Sequence, residues 1–264
     1  MKYPKLVVKS IICGLVLGAV AFNAQADSYE DGLMAYAVGN YAEAGQLLMS
    51  AAEEGNTGAE HMLMRLFSEG KLYAKDMDQE TMKWTLKAAE KGIMQAQYAL
   101  AEIYANKVGD YKAAVDWYRQ AANQGHPDAF YKLGSLFEEG VKGIRADAAE
   151  SNRMYQIAAS EFDVYAQKGD AEYQYHLAGM YQNAKGVQKN MKLALKWMEK
   201  SALQGHAMAQ LSLGRMYALG EDVPRDTFQA AFWLDLAAAQ GVADAETILS
   251  SIRSEETSKV AFAM

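Results

Sequence analysis

Glycines that each close an alanine-rich stretch recur at Gly55, Gly92, Gly125, Gly169, Gly205 and Gly241, with spacings of 37, 33, 44, 36 and 36 residues. Such near-constant spacing marks stacked structural repeats, each too small to bury its own apolar face and stable only against its neighbours. Three residues before each glycine stands an alanine: Ala52, Ala89, Ala122, Ala166, Ala202 and Ala238. Eight before it stand Leu47, Trp84, Trp117, Glu161, Trp197 and Trp233, so every tryptophan of the chain falls at one repeat position. Four residues after it come Ala59, Ala96, Ala129, Tyr173, Ala209 and Ala245, and eight after come Leu63, Leu100, Leu133, Leu177, Leu213 and Leu249. Twelve after come Phe67, Tyr104, Phe137, Tyr181 and Tyr217. Offsets of four, eight and twelve return to one face of an α-helix, so each repeat reads as a first helix after the glycine and a second helix before the next. The glycine itself is the C-terminal stop, where positive φ is needed.

Composition agrees with a helical stack. Hydrophobic residues make up 51% and charged residues 22%, with only 3 prolines, enough apolar material for a continuous core and little that breaks helices. The repeats are expected at about 29–55, 56–92, 93–125, 126–169, 170–205 and 206–241, with a capping helix over 242–254 and a tail over 255–264. The opening one, from Gly32 with a turn at Gly39-Asn40, reads as a half-repeat. The repeat between Gly125 and Gly169 is long, has Glu161 at the tryptophan position, and is expected to carry one extended second helix from about Ala146 to Lys168. Such an insertion falls at one end of a helix pair, where a functional or curvature-changing feature and neutral drift are alternative readings.

The first 26 residues read as an export signal. Lys2, Lys5 and Lys9 precede an apolar stretch from Ile11 to Phe22, and Ala24-Gln25-Ala26 supplies the small-x-small cleavage pattern, so cleavage is expected after Ala26 with release into the periplasm or medium. The run is shorter than the about 20 apolar residues that span a bilayer, so no membrane insertion is expected of the mature chain. Ser10-Ile11-Ile12 before Cys13 does not resemble a lipobox. Loss of the leader removes three lysines and the only cysteine, leaving 23 basic and 33 acidic side chains and a formal charge of −10. That balance argues against nucleic acid and anionic membrane as partners, and a chain without thiols has no disulfide and no cysteine metal site.

The run from Ala207 to Gly220, followed by Val223-Pro224-Arg225-Asp226 and by Ala230 to Gly241 with Trp233, resembles a complete Sel1-like repeat. Tyr173, Leu177, Tyr181, Gly186-Val187, Trp197, Ala202 and Gly205 resemble a second, and Ala96–Gly125 and Ala59–Gly92 match with altered loops. Ordinary tetratricopeptide repeats run at about 34 residues and place their tryptophan early in the first helix; here it lies in the second. The resemblance implies an all-α fold, a right-handed α-solenoid of helix-turn-helix repeats of the Sel1-like, tetratricopeptide-like type, and adaptor, assembly or regulatory work in the bacterial envelope.

Reactive chemistry is sparse. His61, His126, His176 and His206 show no spacing of four that would put two ligands on one helical face, and no metal site or cofactor is expected. His126 and His206 each follow a repeat glycine and read as helix-start residues. Ser68-Glu69-Gly70-Lys71 fits the serine-x-x-lysine pattern of penicillin-binding proteins and serine β-lactamases, but Gly70 ends a helix between the two and neither Ser-Asp-Asn nor Lys-Thr-Gly occurs. Asp235, Glu199, Lys196 and Arg119 read as solvated faces. No catalytic residue is therefore expected. The function expected is a protein–protein interaction scaffold holding a protein or peptide on its concave surface; the alternative is an envelope hydrolase of β-lactamase-like or peptidoglycan-related type.

Overall fold

The structure, a computed structural model, describes residues 25–72, 79–220 and 223–262. The leader 1–24 lies outside them. The chain divides into two compact parts, one ending at Tyr73 and one beginning at Ala74. The first contains α1 (Gln25–Ala37), α2 (Tyr41–Glu53) and α3 (Thr57–Ser68). The second contains α4 (Gln79–Glu90), α5 (Met94–Ile103), α6 (Tyr111–Asn123), α7 (Pro127–Glu139), α8 (Ala148–Gln167), α9 (Ala171–Asn183), α10 (Met191–Leu203), α11 (Ala207–Leu219), α12 (Thr227–Ala239) and α13 (Ala243–Phe262). Within each part every helix packs against the next in the chain. This is the all-α helix-turn-helix solenoid that the repeat pattern requires.

The repeat glycines do what their spacing predicts. Gly125 donates its N–H to Ala122 O and His126 donates to Ala121 O, the paired bonds of a Schellman stop. The same pair recurs at Gly55, Gly92, Gly169, Gly205 and Gly241. Gly125 has φ +91 and open space where a Cβ would stand, so backbone conformation alone requires glycine there. At the other end, Asp110, Asp147, Asn190 and Asp226 accept backbone N–H groups from the first turns of α6, α8, α10 and α12, the expected chemistry of an N-cap.

Close approach depends on small residues inside the helices. Ala96, Ala129, Ala209 and Ala245 are fully buried. A Cβ on Gly214 would lie 2.4 Å from Leu234 Cγ, and one on Gly134 would lie 2.7 Å from Tyr155 Cδ1. Trp233 is buried among Met198, Ala202, Ala209 and Leu213, so the ring joins its own first helix to the preceding second helix, as expected of an aromatic stripe. Trp84 is also buried, whereas Trp117 and Trp197 are half-buried.

Two features differ from the sequence expectation. α8 runs over Ala148–Gln167, close to the expected bounds, but Glu161 does not stand in for tryptophan. Tyr155 packs on Gly134 as Leu234 packs on Gly214, and Tyr155 donates to Glu138 as Tyr118 donates to Glu102. Leu234 and Tyr118 each follow the repeat tryptophan, so Met154 holds that place in α8. The insertion is two helical turns added after Ala159, and counting back from the glycine misplaced the register by seven residues. The second difference is α13, which continues to Phe262 through residues expected to form a tail.

Candidate interaction surface

Histidine and tyrosine positions that looked unrelated along the chain meet across successive first helices. Tyr98 of α5 stacks on His126 at the start of α7, with ring centroids 4.2 Å apart and planes within 9°. Tyr175 of α9 stacks on His206 at the start of α11 at 4.8 Å. Both tyrosines lie six residues after a repeat glycine and both histidines directly follow the next one, so the pair is a repeat feature. Tyr131 of α7 holds the same position as the two tyrosines and lies 5.3 Å from the Tyr155 ring and 6.4 Å from the His176 ring.

The histidines differ in their second contact. His206 Nδ1 accepts the Ala209 N–H at 3.1 Å, which leaves the proton on Nε2 to be donated to Glu172 at 2.9 Å. His176 Nε2 lies 3.1 Å from the other oxygen of Glu172. His126 Nδ1 is buried without a hydrogen-bond partner, 3.9 Å from Asp128; burial lowers its pKa, against the pull of Asp128. His61 is exposed on α3. Among the described residues no three histidine, cysteine, aspartate or glutamate side chains are grouped to hold a metal ion.

Charges alternate with this aromatic row. Glu102 accepts from the buried Tyr118 hydroxyl and pairs with Lys132 at 3.0 Å. Glu138 accepts from Tyr155 at 2.7 Å and from Lys185 at 3.0 Å, and Lys185 also lies over the Tyr131 and Tyr155 rings. Burial works against the charge on Lys185, yet its hydrogen bonds to Tyr155 and Glu138 hold its pKa above the ordinary lysine value. Burial and the bond to Glu138 push the Tyr155 hydroxyl up to about 12. The hydrogen bonds among Glu138, Tyr155 and Lys185 fix these side chains against one another. This network borders a recess of about 390 Å³ lined by Glu138, Ser151, Asn152, Asn183 and Lys185.

The serine-x-x-lysine pattern is taken apart by the fold. Ser68 is the last residue of α3, and Lys71 lies beyond the helix end. Lys71 contacts Glu69 at 2.9 Å and lies over the Tyr36 and Tyr41 rings. Its hydrogen bond to Glu69 holds its pKa above the ordinary value, and the bonds from Lys71, Arg65 and Tyr36 bring Glu69 down to about 2. Of the residues expected on solvated faces, Asp235, Lys196 and Arg119 are exposed and Glu199 is half-buried.

A ladder of glutamines escaped the sequence reading. Gln97, Gln174 and Gln210 are buried, and each donates to the carbonyl eight residues back, that of Ala89, Ala166 or Ala202. Their amide oxygens accept from Gln124, Gln204 and Gln240 at 2.7, 2.7 and 2.8 Å. The signal was available: the first three lie five residues after a repeat glycine, the other three directly before the next. Each link satisfies buried polar groups that would otherwise cost stability.

Comparison with known proteins agrees with this construction. The Sel1 repeat pattern matches residues 65–93, 95–126, 127–161, 171–206 and 207–242, skipping most of the two added turns of α8. A Sel1 repeat protein from Oxalobacter formigenes aligns over 85% of this chain and 89% of its own, at 31% identity and a TM-score of 0.57. A protective antigen of uropathogenic Escherichia coli strains, described as displaying an SLR fold, aligns over 88% of this chain and 49% of its own, at 27% identity and a TM-score of 0.60. An exopolysaccharide production negative regulator of Rhizobium meliloti is 29% identical over 150 residues, 51% of this chain and 53% of that protein. A chitin synthase regulator of Saccharomyces cerevisiae is 30% identical over 156 residues, 57% of this chain and 22% of that protein. The chain thus matches between about a fifth and a half of the length of these curated relatives. With five matched repeats covering more than half of its residues, the chain belongs to the Sel1 repeat family.

Proposed function

We propose that this protein is an exported interaction scaffold that holds a protein or peptide partner along the first helices of its repeats. Sel1 repeat proteins generally mediate protein–protein interaction through a non-enzymatic scaffold. The observation that carries the reading here is the half-buried row of Tyr98, His126, Tyr131, His176, Tyr175 and His206 across α5, α7, α9 and α11, interleaved with the carboxylates Asp128, Glu138 and Glu172. Rigid aromatic faces beside fixed polar groups give contact area at little entropic cost, the property of a surface built to recognise another chain. Two relatives are regulators by description, which fits a role exerted through a held partner. Export rests on the basic start, the short apolar run and Ala24-Gln25-Ala26, and places the scaffold in the periplasm or outside the cell.

The test is complementation of a deletion strain at matched protein abundance. Glu139→Lys, exposed beside Glu138 at the end of α7, combined with Glu172→Gln on the neighbouring α9, should abolish the phenotype without lowering the melting temperature, because glutamine still accepts from His206. Ser68→Ala and Lys71→Ala should leave it intact. Loss of function in either of the last two with the fold preserved would replace the scaffold with an enzyme.

A further inference from the structure

Second helices of successive repeats present equivalent positions outward, and in the last repeat those positions change character. On α10 they are Lys192, Lys196 and Lys200, all exposed; on α6 they are Lys112, Asp116 and Gln120, also exposed. On α12, 36 residues beyond the α10 set, they are Phe228, Phe232 and Leu236, which are 78%, 49% and 39% exposed. Spaced four apart, the three apolar side chains form one stripe about 12 Å long. The opposite face of α12, with Ala230, Trp233, Leu234 and Ala237, is buried, so the helix is apolar on both sides although, among the described residues, only one side has a neighbour to bury it. The one ionisable residue of α12, Asp235, is engaged by Arg253 of α13 at 3.2 Å.

The lysine row lies beside this stripe. Met198 and Ala202 of α10 share a core cluster with Trp233 of α12, and Gln240, just past the end of α12, donates to Gly205 O just past the end of α10. Lys200 lies over the Trp197 ring, and among the described residues none of the three lysines has an ion-pair partner. Beyond Lys200 the apolar surface resumes at Leu203, 74% exposed. An apolar stripe with a cationic edge on one side fits a helix of complementary build.

We propose that the outer face of α12, with the lysine edge of α10, docks an amphipathic helix of a partner protein whose apolar seam is bordered by aspartates or glutamates. The proposal rests on the scaffold reading above and adds a second surface with a defined partner chemistry. Charge separates this occupant from the others. A second copy of the chain would bring another lysine row, and its Asp235 is already taken by Arg253. An anionic membrane would meet a mature chain of formal charge −10, which opposes adsorption beyond the local patch.

The experiment uses the full chain and a labelled synthetic helix of about four turns with a leucine seam and one glutamate edge. The controls are the same helix with lysine in place of glutamate, vesicles containing phosphatidylglycerol, and sedimentation of the chain alone. Fluorescence anisotropy should show binding of the glutamate-edged helix and binding at least about tenfold weaker for the lysine-edged one. The triple change Phe228→Lys, Phe232→Lys and Leu236→Lys should lose about tenfold or more with the helical signal retained at the assay temperature, because α10 already carries lysine at the equivalent positions; loss of the edge-on contact of Phe232 with Trp233 lowers the melting midpoint. Lys192→Glu with Lys196→Glu should reverse the preference between the two helices. Equal binding of both helices, no loss in the triple variant, binding to vesicles alone, or a dimer that the triple variant dissolves would each overturn the proposal. Failure here with loss of complementation by the α7 and α9 variants would leave the scaffold standing and remove only this surface.

Discussion

Replacing glycine by alanine inside a helix ordinarily stabilises by about 0.5–1 kcal/mol, because the unfolded chain loses freedom. Gly179 of α9 and Gly214 of α11 both sit inside helices, and the structure assigns them opposite responses. Nothing lies within 4 Å of a Cβ on Gly179, so Gly179→Ala should raise stability by the ordinary amount. A Cβ on Gly214 would stand 2.4 Å from Leu234 Cγ and 2.8 Å from its Cδ2, with Ala230 O at 3.3 Å. Contacting carbons sit at about 3.5–4.0 Å, so α11 and α12 must part by about 1 Å. Leu234 is fully buried, and its Cγ cannot swing aside as a chain end would. Overpacking of this kind costs about 1–3 kcal/mol, and subtracting the helix gain leaves Gly214→Ala about 1–2 kcal/mol less stable. For a chain of this size that lowers the melting midpoint by about 3–6 °C, readable by circular dichroism. A midpoint that rises in Gly214→Ala, or falls in Gly179→Ala, would refute the claim that close helix approach, and not glycine as such, is what position 214 requires.

Trp233→Ala should destabilise by about 3–5 kcal/mol in thermal melts, since the ring fills the junction of α10, α11 and α12. Gln210→Ala should cost about 0.5–1.5 kcal/mol by removing its bonds to the Ala202 carbonyl, which keeps the Gly205 N–H, and to Gln240, and a double-mutant cycle with Gln240→Ala should return a coupling of about 0.5–1.5 kcal/mol from chemical denaturation. His126 titrates lower folded than unfolded, so on acidification the unfolded chain takes the proton first: this contribution is complete above about pH 6.5 and is lost as pH falls through the unfolded value towards the folded one. His126→Asn should flatten that part of the stability profile, measured as denaturation midpoint against pH.

What was legible in the sequence follows one rule: features that repeat could be read, and features that depend on where the register breaks could not. The Ala-x-x-Gly stops and the leucine and alanine stripes of the first helices repeat, and the structure places each as the spacing requires. The glutamine ladder also repeats but went unread, because glutamine on a helix is ordinarily solvated and only burial reveals Gln97, Gln174 and Gln210 as interior. The error at Glu161 came from the longest repeat, where counting back from the glycine assumed that the extra residues of the long helix precede its tryptophan position. The stacked pairs Tyr98–His126 and Tyr175–His206 lie 28 and 31 residues apart, a variation that hides their equivalence until each is measured from its own glycine. The α12 stripe was read as part of an alanine-rich repeat, since the pattern marks which positions recur and not which recurring position has changed from lysine to phenylalanine.

The two added turns of α8 explain the other anomaly of that repeat, the tyrosine at 173 where the described repeats otherwise bury alanine. Phe162 and Tyr165 lie on the added turns, and both reach the Tyr173 ring, at 5.3 and 4.7 Å. Phe162 is fully buried there and also stacks on His176, so insertion and substitution are one packing solution. The same region lacks a glutamine link: Phe130 stands five residues after Gly125 and Lys168 directly before Gly169, so aromatic contacts replace the amide ladder at this junction. Removing residues 160–166 would bring Ala158-Ala159 next to Gln167-Lys168-Gly169, reproducing the Ala121-Ala122-Asn123-Gln124-Gly125 pattern. Seven residues are close to two turns, so the face of α8 would be kept. The deletion alone should destabilise by about 3–5 kcal/mol, the scale of losing a buried phenylalanine, and leave Tyr173 in a site that elsewhere admits only a methyl group. Adding Tyr173→Ala should then restore about 1–3 kcal/mol by relieving overpacking, whereas Tyr173→Ala in the intact chain should destabilise. Thermal melts of the three variants decide the matter through the sign of the tyrosine change in the two backgrounds. The same sign in both would mean that helix length and Tyr173 are independent, and that the insertion is not what the tyrosine packs against.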